Sequence, residues 1–184
     1  MKLLPVLVAV TLTCTANVYG QSSDWEKQLQ EELPLLGHRN WIVVADSAYP
    51  AQTAPGIRTV YTGAEQLDAV RKVLAAVEEA RHVRGTVFVD AELPHVPEEF
   101  AGGISEYRDG LEKALDGQQV TRLPHGEIIE QLDEAGQTFR VLLLKTDLTL
   151  PYTSVFIRLD CGYWSDDAEK QLRKAIEAAD PSQK

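Results

Sequence analysis

Four side chains that can carry or hold protons stand at the ends of apolar runs. His38 follows Gly37 just before Trp41-Ile42-Val43-Val44-Ala45, Asp46 closes that run, His125 follows Leu123-Pro124, and Tyr152 lies in Pro151-Tyr152-Thr153-Ser154. Imidazole both gives and takes a proton near neutral pH, and a carboxylate beside it fixes its tautomer. A second run, Phe88-Val89-Asp90-Ala91-Glu92-Leu93-Pro94, echoes Val44-Ala45-Asp46-Ser47-Ala48-Tyr49-Pro50, so two buried strands each deliver an aspartate at the carboxyl end. In open α/β sheets that edge is where ligands bind. An Asp-x-x-x-Pro stretch also turns a chain by itself, which is the simpler role for Asp90. Taken singly, each histidine is an ordinary surface-turn residue. His82 suits the negative end of a helix over 65–80, and His95 a solvated loop.

The elements that must position these groups alternate along the chain. Ser23-Asp24-Trp25-Glu26 is a capping box that starts a short helix reaching about Leu33. Trp41 to Ala45 is apolar without alternation, the pattern of a strand buried on both faces. Arg58 to Thr62 predicts a short strand, and Leu67, Val70, Val73, Leu74 and Val77 share one helical face. Gly85 to Val89 predicts another buried strand. Ile104 to Leu115 predicts a helix with Tyr107, Leu111 and Leu115 inward, stopped by Gly117. A short helix over 127–132, strands over 139–144 and 154–159, and a terminal helix over 166–178 complete the series. The alternation predicts the α/β class: a single three-layer domain, with a largely parallel central sheet and helices on both faces.

Composition narrows the partners. A chain of 184 residues that is 44% apolar suits one ordinary domain with its own core. A formal charge of -10 argues against phosphate backbones and anionic lipid, since both call for clustered Lys and Arg. Nucleic acid is therefore not expected as a partner. Lys2, the apolar run Leu3 to Leu12 and the small-residue ending Val18-Tyr19-Gly20 read as a secretory signal over 1–20, with the functional domain over 21–184 and a secreted or periplasmic destination. The run is about half the ~20 residues a spanning helix needs, so no membrane association is expected after signal removal. Cys14 raises a lipoprotein alternative, although Thr11-Leu12-Thr13 before it is a poor match to the usual pattern. Cleavage after Gly20 leaves Cys161 alone, which excludes an internal disulfide and suits a buried small hydrophobe.

Glycine-rich phosphate loops and a G-x-S-x-G elbow are absent, and no cofactor is expected. Two histidines and an aspartate could supply three ligands of a zinc site, but close His-x-x-x-His spacing is lacking and no metal is assigned.

The order of the motifs resembles the D-ribose pyranase and L-fucose mutarotase family. Leu36-Gly37-His38-Arg39-Asn40 with Val43 to Pro50 is similar to its first block, Asp90-Ala91-Glu92-Leu93 to an acidic segment, Leu123-Pro124-His125-Gly126-Glu127 to the pyranase histidine motif, and Lys145 to Arg158 to its C-terminal block. The resemblance covers roughly Leu33 to Trp164. It implies a cofactor-independent sugar isomerase that interconverts anomers, or pyranose and furanose rings, of a monosaccharide such as ribose or fucose. It implies His38 as the principal acid–base group, with Asp46 orienting it or holding a sugar hydroxyl. His125 and Tyr152 would bind hydroxyls and assist the proton transfer, and Ser154, Arg39 and Glu92 would contact substrate. It also implies a ring-like homo-oligomer with sites near subunit contacts.

Two positions depart from the family pattern. Ser154 stands where Asn is usual, and Ile129 where the pyranase branch tends to carry Lys. Each change removes a group that would touch sugar hydroxyls, and a buried hydroxyl without its partner costs ~1 to 3 kcal/mol. The identity of the sugar stays open, and so does the alternative of a non-catalytic sugar-binding or oligomeric interaction protein on the same fold.

Overall fold

The computed structural model describes residues 25–179. The expected signal segment, Cys14 and the Ser23 end of the capping box lie outside the described residues. Thirteen short elements among the described residues build one α/β domain. Helix α1 (Trp25–Glu32) leads through a 3₁₀ turn (Leu33–Leu35) to β1 (Trp41–Ala45) and β2 (Ile57–Tyr61). Then come α2 (Gln66–Glu79), β3 (Val83–Asp90), a 3₁₀ turn (Leu93–His95) and α3 (Ile104–Ala114). The chain continues through β4 (Val120–Leu123), α4 (His125–Thr138), β5 (Val141–Lys145), β6 (Val155–Cys161) and α5 (Asp166–Ala179).

The sheet order is β2-β5-β1-β6-β3-β4. β2, β5 and β1 pair in parallel, as do β3 and β4, while β6 runs antiparallel to both of its neighbours. Five strands therefore point the same way, and the largely parallel sheet expected from the sequence is present. β1 is buried along its whole length, as an unbroken apolar run requires in the middle of a sheet.

Successive residues on a strand face opposite sides, and this splits the core in two. Ile42, Val44, Val87, Val89, Leu142, Leu144, Val155 and Ile157 pack with α1, α2 and α3. Trp41, Val43, Phe88, Val141, Leu143 and Phe156 face Ile128, Leu132 and Ala135 of α4. Helices thus cover both faces. α5 contributes no buried residue to either layer, and Leu172 and Ile176 on it are exposed.

α4 is longer than the six-residue helix expected, because Leu132, Ala135 and Gly136 continue its buried stripe. Gly136 also permits a close backbone approach. Its carbonyl accepts from Gly56 N at 2.9 Å, and a Cβ on Gly56 would stand 2.1 Å from Phe139 O. Among the described residues, no helix is long and apolar enough to cross a membrane.

Candidate functional site

The carboxyl ends of β1 and β3 and the start of β6 meet at one edge of the sheet, as the pairing of Val44 with Val155 and of Val89 with Val155 requires. Asp46 leaves β1 there. Its Oδ1 accepts from Ala48 N at 2.8 Å, its Oδ2 accepts from the Ser154 hydroxyl at 3.0 Å, and Asp46 N donates back to Ser154 Oγ at 3.4 Å. Two residues 108 positions apart are thereby locked across neighbouring strands.

Asp90 is the last residue of β3 and is 0% exposed. Both of its carboxylate oxygens lie 3.1 Å from His125 Nδ1. His125 opens α4 directly after Pro124, whose ring cannot continue a helix backward. The backbone N–H of His125 donates to both Glu92 oxygens, at 3.0 and 3.1 Å. Glu92 therefore satisfies a free amide at the α4 N-terminus and places a negative charge at the positive end of the helix. Burial raises the Asp90 carboxyl above its ordinary value, and the adjacent imidazole is the main influence pulling it back.

Tyr152 completes the group. Its ring meets His125 edge-on, with centroids 5.7 Å apart and planes at 83°. Its backbone is left-handed, φ 58°, which costs a residue with a Cβ about 1–2 kcal/mol. Tyr152 is 40% exposed and borders a cavity of about 570 Å³, with Ala91, Glu92, His95, Val96, Pro97 and Pro124 as the other walls. An imidazole with one nitrogen held by a carboxylate, a phenol, and a second carboxylate carrying a hydroxyl can exchange protons with a polyol and bind its hydroxyls.

The opposite edge holds His38 and Arg39. Trp41 pairs with Arg158 while Val44 pairs with Val155, so β6 runs from Ser154 beside Asp46 to Asp160 beside His38. His38 Nδ1 lies 3.4 Å from Asp160 Oδ1, and the Arg39 guanidinium stacks 4.5 Å over the Phe139 ring. A five-residue strand is ~17 Å long at ~3.3 Å per residue. Within this chain, then, His38 and Arg39 do not meet Asp46, His125, Tyr152, Ser154 and Glu92. The expectation that Asp46 orients His38 is corrected: Ser154 and Ala48 occupy Asp46, and the carboxylate on His38 is Asp160.

Two further readings change. Asp90, which its turn sequence explained, is the partner of His125. The echo of Ala45-Asp46 in Val89-Asp90 was the available signal. His82 does not cap α2; its Nε2 lies 3.2 Å from Leu33 O and 3.1 Å from Leu36 O, at the turn after α1. Cys161 is half-buried at the end of β6. Among the described residues, no three of His, Cys, Asp and Glu come together to hold a metal ion.

Several solved structures are similar to the chain. One is Bacillus subtilis RbsD complexed with D-ribose, 22% identical, with 72% of this chain and 91% of that one covered at a TM-score of 0.49. Another is FucU from Bifidobacterium longum, at 14%, 73%, 94% and 0.47. A third is the fucose mutarotase in complex with L-fucose from Streptococcus pneumoniae, at 18%, 76%, 92% and 0.47. The likeness is one of fold. These ribose pyranase and fucose mutarotase structures are of the family that the sequence motifs resemble. No family model and no curated protein matches the chain.

Proposed function

We propose that the protein interconverts ring forms or anomers of a monosaccharide by general acid–base catalysis. The observation that carries this reading is His125, fixed through Nδ1 by buried Asp90 and facing Tyr152 across the edge of the sheet. Nδ1 is committed to Asp90, so Nε2 is the nitrogen left to exchange a proton with substrate. In the reaction the anomeric hydroxyl loses its proton, the bond from the anomeric carbon to the ring oxygen breaks, and the ring oxygen gains a proton. Closure by the reverse steps gives the other anomer, or another ring size if a different hydroxyl attacks. Atoms balance without a cofactor. A single positioned group of this kind contributes ~10² to 10⁴-fold. Tyr152 and the Asp46–Ser154 pair would hold sugar hydroxyls.

His38 enters this scheme only if a second copy of the chain brings it to the site, as the resemblance to a ring-like homo-oligomer implies. Mixing His38→Ala with His125→Ala subunits tests that: recovered activity requires sites shared between copies.

The test of the function is saturation-transfer NMR on the chain from residue 21 with ribose, fucose, galactose and glucose. Accelerated ring-form exchange that disappears in His125→Ala supports the reading. A folded protein that accelerates no sugar overturns it. Two observations favour the second reading, a sugar-binding protein without catalysis. The Ser154 hydroxyl is tied to Asp46, and Ile129 packs in the apolar layer under α4 where the family pattern has Lys. Binding by the same NMR panel without exchange would select it. For the segment over 1–20 we propose an export signal and a secreted or periplasmic location, to be checked by the mass of the mature N-terminus.

A further inference from the structure

Beneath the candidate site lies a buried polar group that the proposed chemistry does not use. Gln66, the first residue of α2, is 1% exposed at the edge of the apolar layer between α2 and the sheet. A buried amide without partners costs several kcal/mol, so its bonds decide whether it belongs there. Its Oε1 lies 2.6 Å from Thr146 Oγ1, which also lies 3.0 Å from Ala45 O. Its Nε2 donates to Thr153 O and lies 3.3 Å from the Tyr107 hydroxyl. Tyr107 in turn donates to the same Thr153 carbonyl at 2.6 Å. One side chain therefore bonds to Thr146 just after β5 and to Thr153 just before β6, and it shares the single Thr146 hydroxyl proton with the Ala45 carbonyl at the end of β1.

Two of those three points adjoin groups of the site. Ala45 is followed by Asp46, and Thr153 stands between Tyr152 and Ser154. Thr153 Oγ1 also donates to Leu150 O at 2.8 Å, closing the turn in which Tyr152 holds its left-handed φ. A strained backbone persists only where its surroundings over-determine it. Here two donors converge on the carbonyl one residue beyond the strain.

We propose that Gln66, acting with Tyr107, is a positioning residue: it fixes the Thr153 peptide so that Tyr152 faces His125 and Ser154 meets Asp46. Its kinetic consequence rests on the isomerase reading, whereas its structural consequence does not. Gln66→Met keeps the length of the side chain and removes the amide, and Tyr107→Phe removes one oxygen. Leu74→Ala, in the same helix and core layer, controls for lost stability alone.

The experiment is NMR of the chain from residue 21 with labelled His and Tyr, reading the nuclear Overhauser contact between the His125 and Tyr152 rings. Titrations with the active sugar run alongside. The contact is expected in the wild type and in Leu74→Ala, to vanish in Gln66→Met and to fall at least twofold in Tyr107→Phe. KM is expected to rise about tenfold in Gln66→Met with kcat within threefold, because Tyr152 and Ser154 bind hydroxyls. An intact contact in folded Gln66→Met and Tyr107→Phe overturns the proposal, and so does its equal loss in Leu74→Ala. Should Gln66→Met fail to fold, Tyr107→Phe decides alone. A wild type inactive on every sugar defeats the isomerase reading, while the ring contact still decides the role of Gln66.

Discussion

Replacing Asp90 by Asn keeps the shape of the side chain and removes its charge, which separates what this carboxylate does for chemistry from what it costs the fold. Both oxygens stand 3.1 Å from His125 Nδ1, and the group is 0% exposed. A hydrogen bond to a charged group contributes about 1.5–3 kcal/mol, and each 1.36 kcal/mol is tenfold in rate, so kcat/KM should fall about 10- to 150-fold. Stability should move the other way. Burial raises the Asp90 carboxyl above its ordinary value. A carboxyl shifted upward adds stability below its unfolded value, ~3.9, and loses it as the pH climbs through the folded value. The ionised form therefore burdens the fold at pH 7, and the neutral amide does not. Tm of Asp90→Asn at pH 7 should equal or exceed that of the wild type, with the two converging below about pH 4. Saturation-transfer NMR and calorimetry across pH read both quantities. Rates within threefold of wild type, or a Tm several degrees lower at pH 7, would refute the argument.

Tyr152→Gly relieves the left-handed backbone and is expected to raise stability by up to about 1 kcal/mol while sugar affinity is lost, measured by denaturant unfolding and NMR titration. Gly56→Ala forces a Cβ against Phe139 O and is expected to lower stability by about 1–3 kcal/mol or more, read from the shift in denaturant midpoint. The Glu98 carboxyl is held below its ordinary value by the backbone N–H groups of Gly103 and Ser105 at the start of α3. Its contribution is present above the unfolded carboxylate value and is lost as the pH falls through the folded one. The Tm gap between wild type and Glu98→Gln should therefore be open at pH 7 and close on acidification; a gap that widens in acid contradicts this.

The strands and helices that carry the core were legible because their patterns are local. Trp41 to Ala45 has no polar residue, and the face of α2 repeats at helical spacing. β4 was not read as a strand: Val120-Thr121-Arg122-Leu123 is four residues long with polar side chains, as befits an edge that pairs only with β3. At the site, Asp90 was hidden because Asp-x-x-x-Pro explains itself as a turn, and nothing local to it names a partner 35 residues away. His38 and Asp46 illustrate the converse. Their closeness in sequence suggested contact, yet an extended strand between two residues is what holds them apart. Ser154 beside Asp46 depended on register between β1 and β6, which neither strand encodes alone.

The position of β6 has a consequence for how the molecule comes into being. The β2-β5-β1 group and the β3-β4 pair share no strand pairing except through it. Among the described residues it is also the last strand in chain order. A growing chain that has emerged as far as Lys145 carries two separate pieces of sheet, each with an apolar edge waiting for Val155–Cys161. The two pieces can thus be joined into one sheet only once Cys161 has left the ribosome.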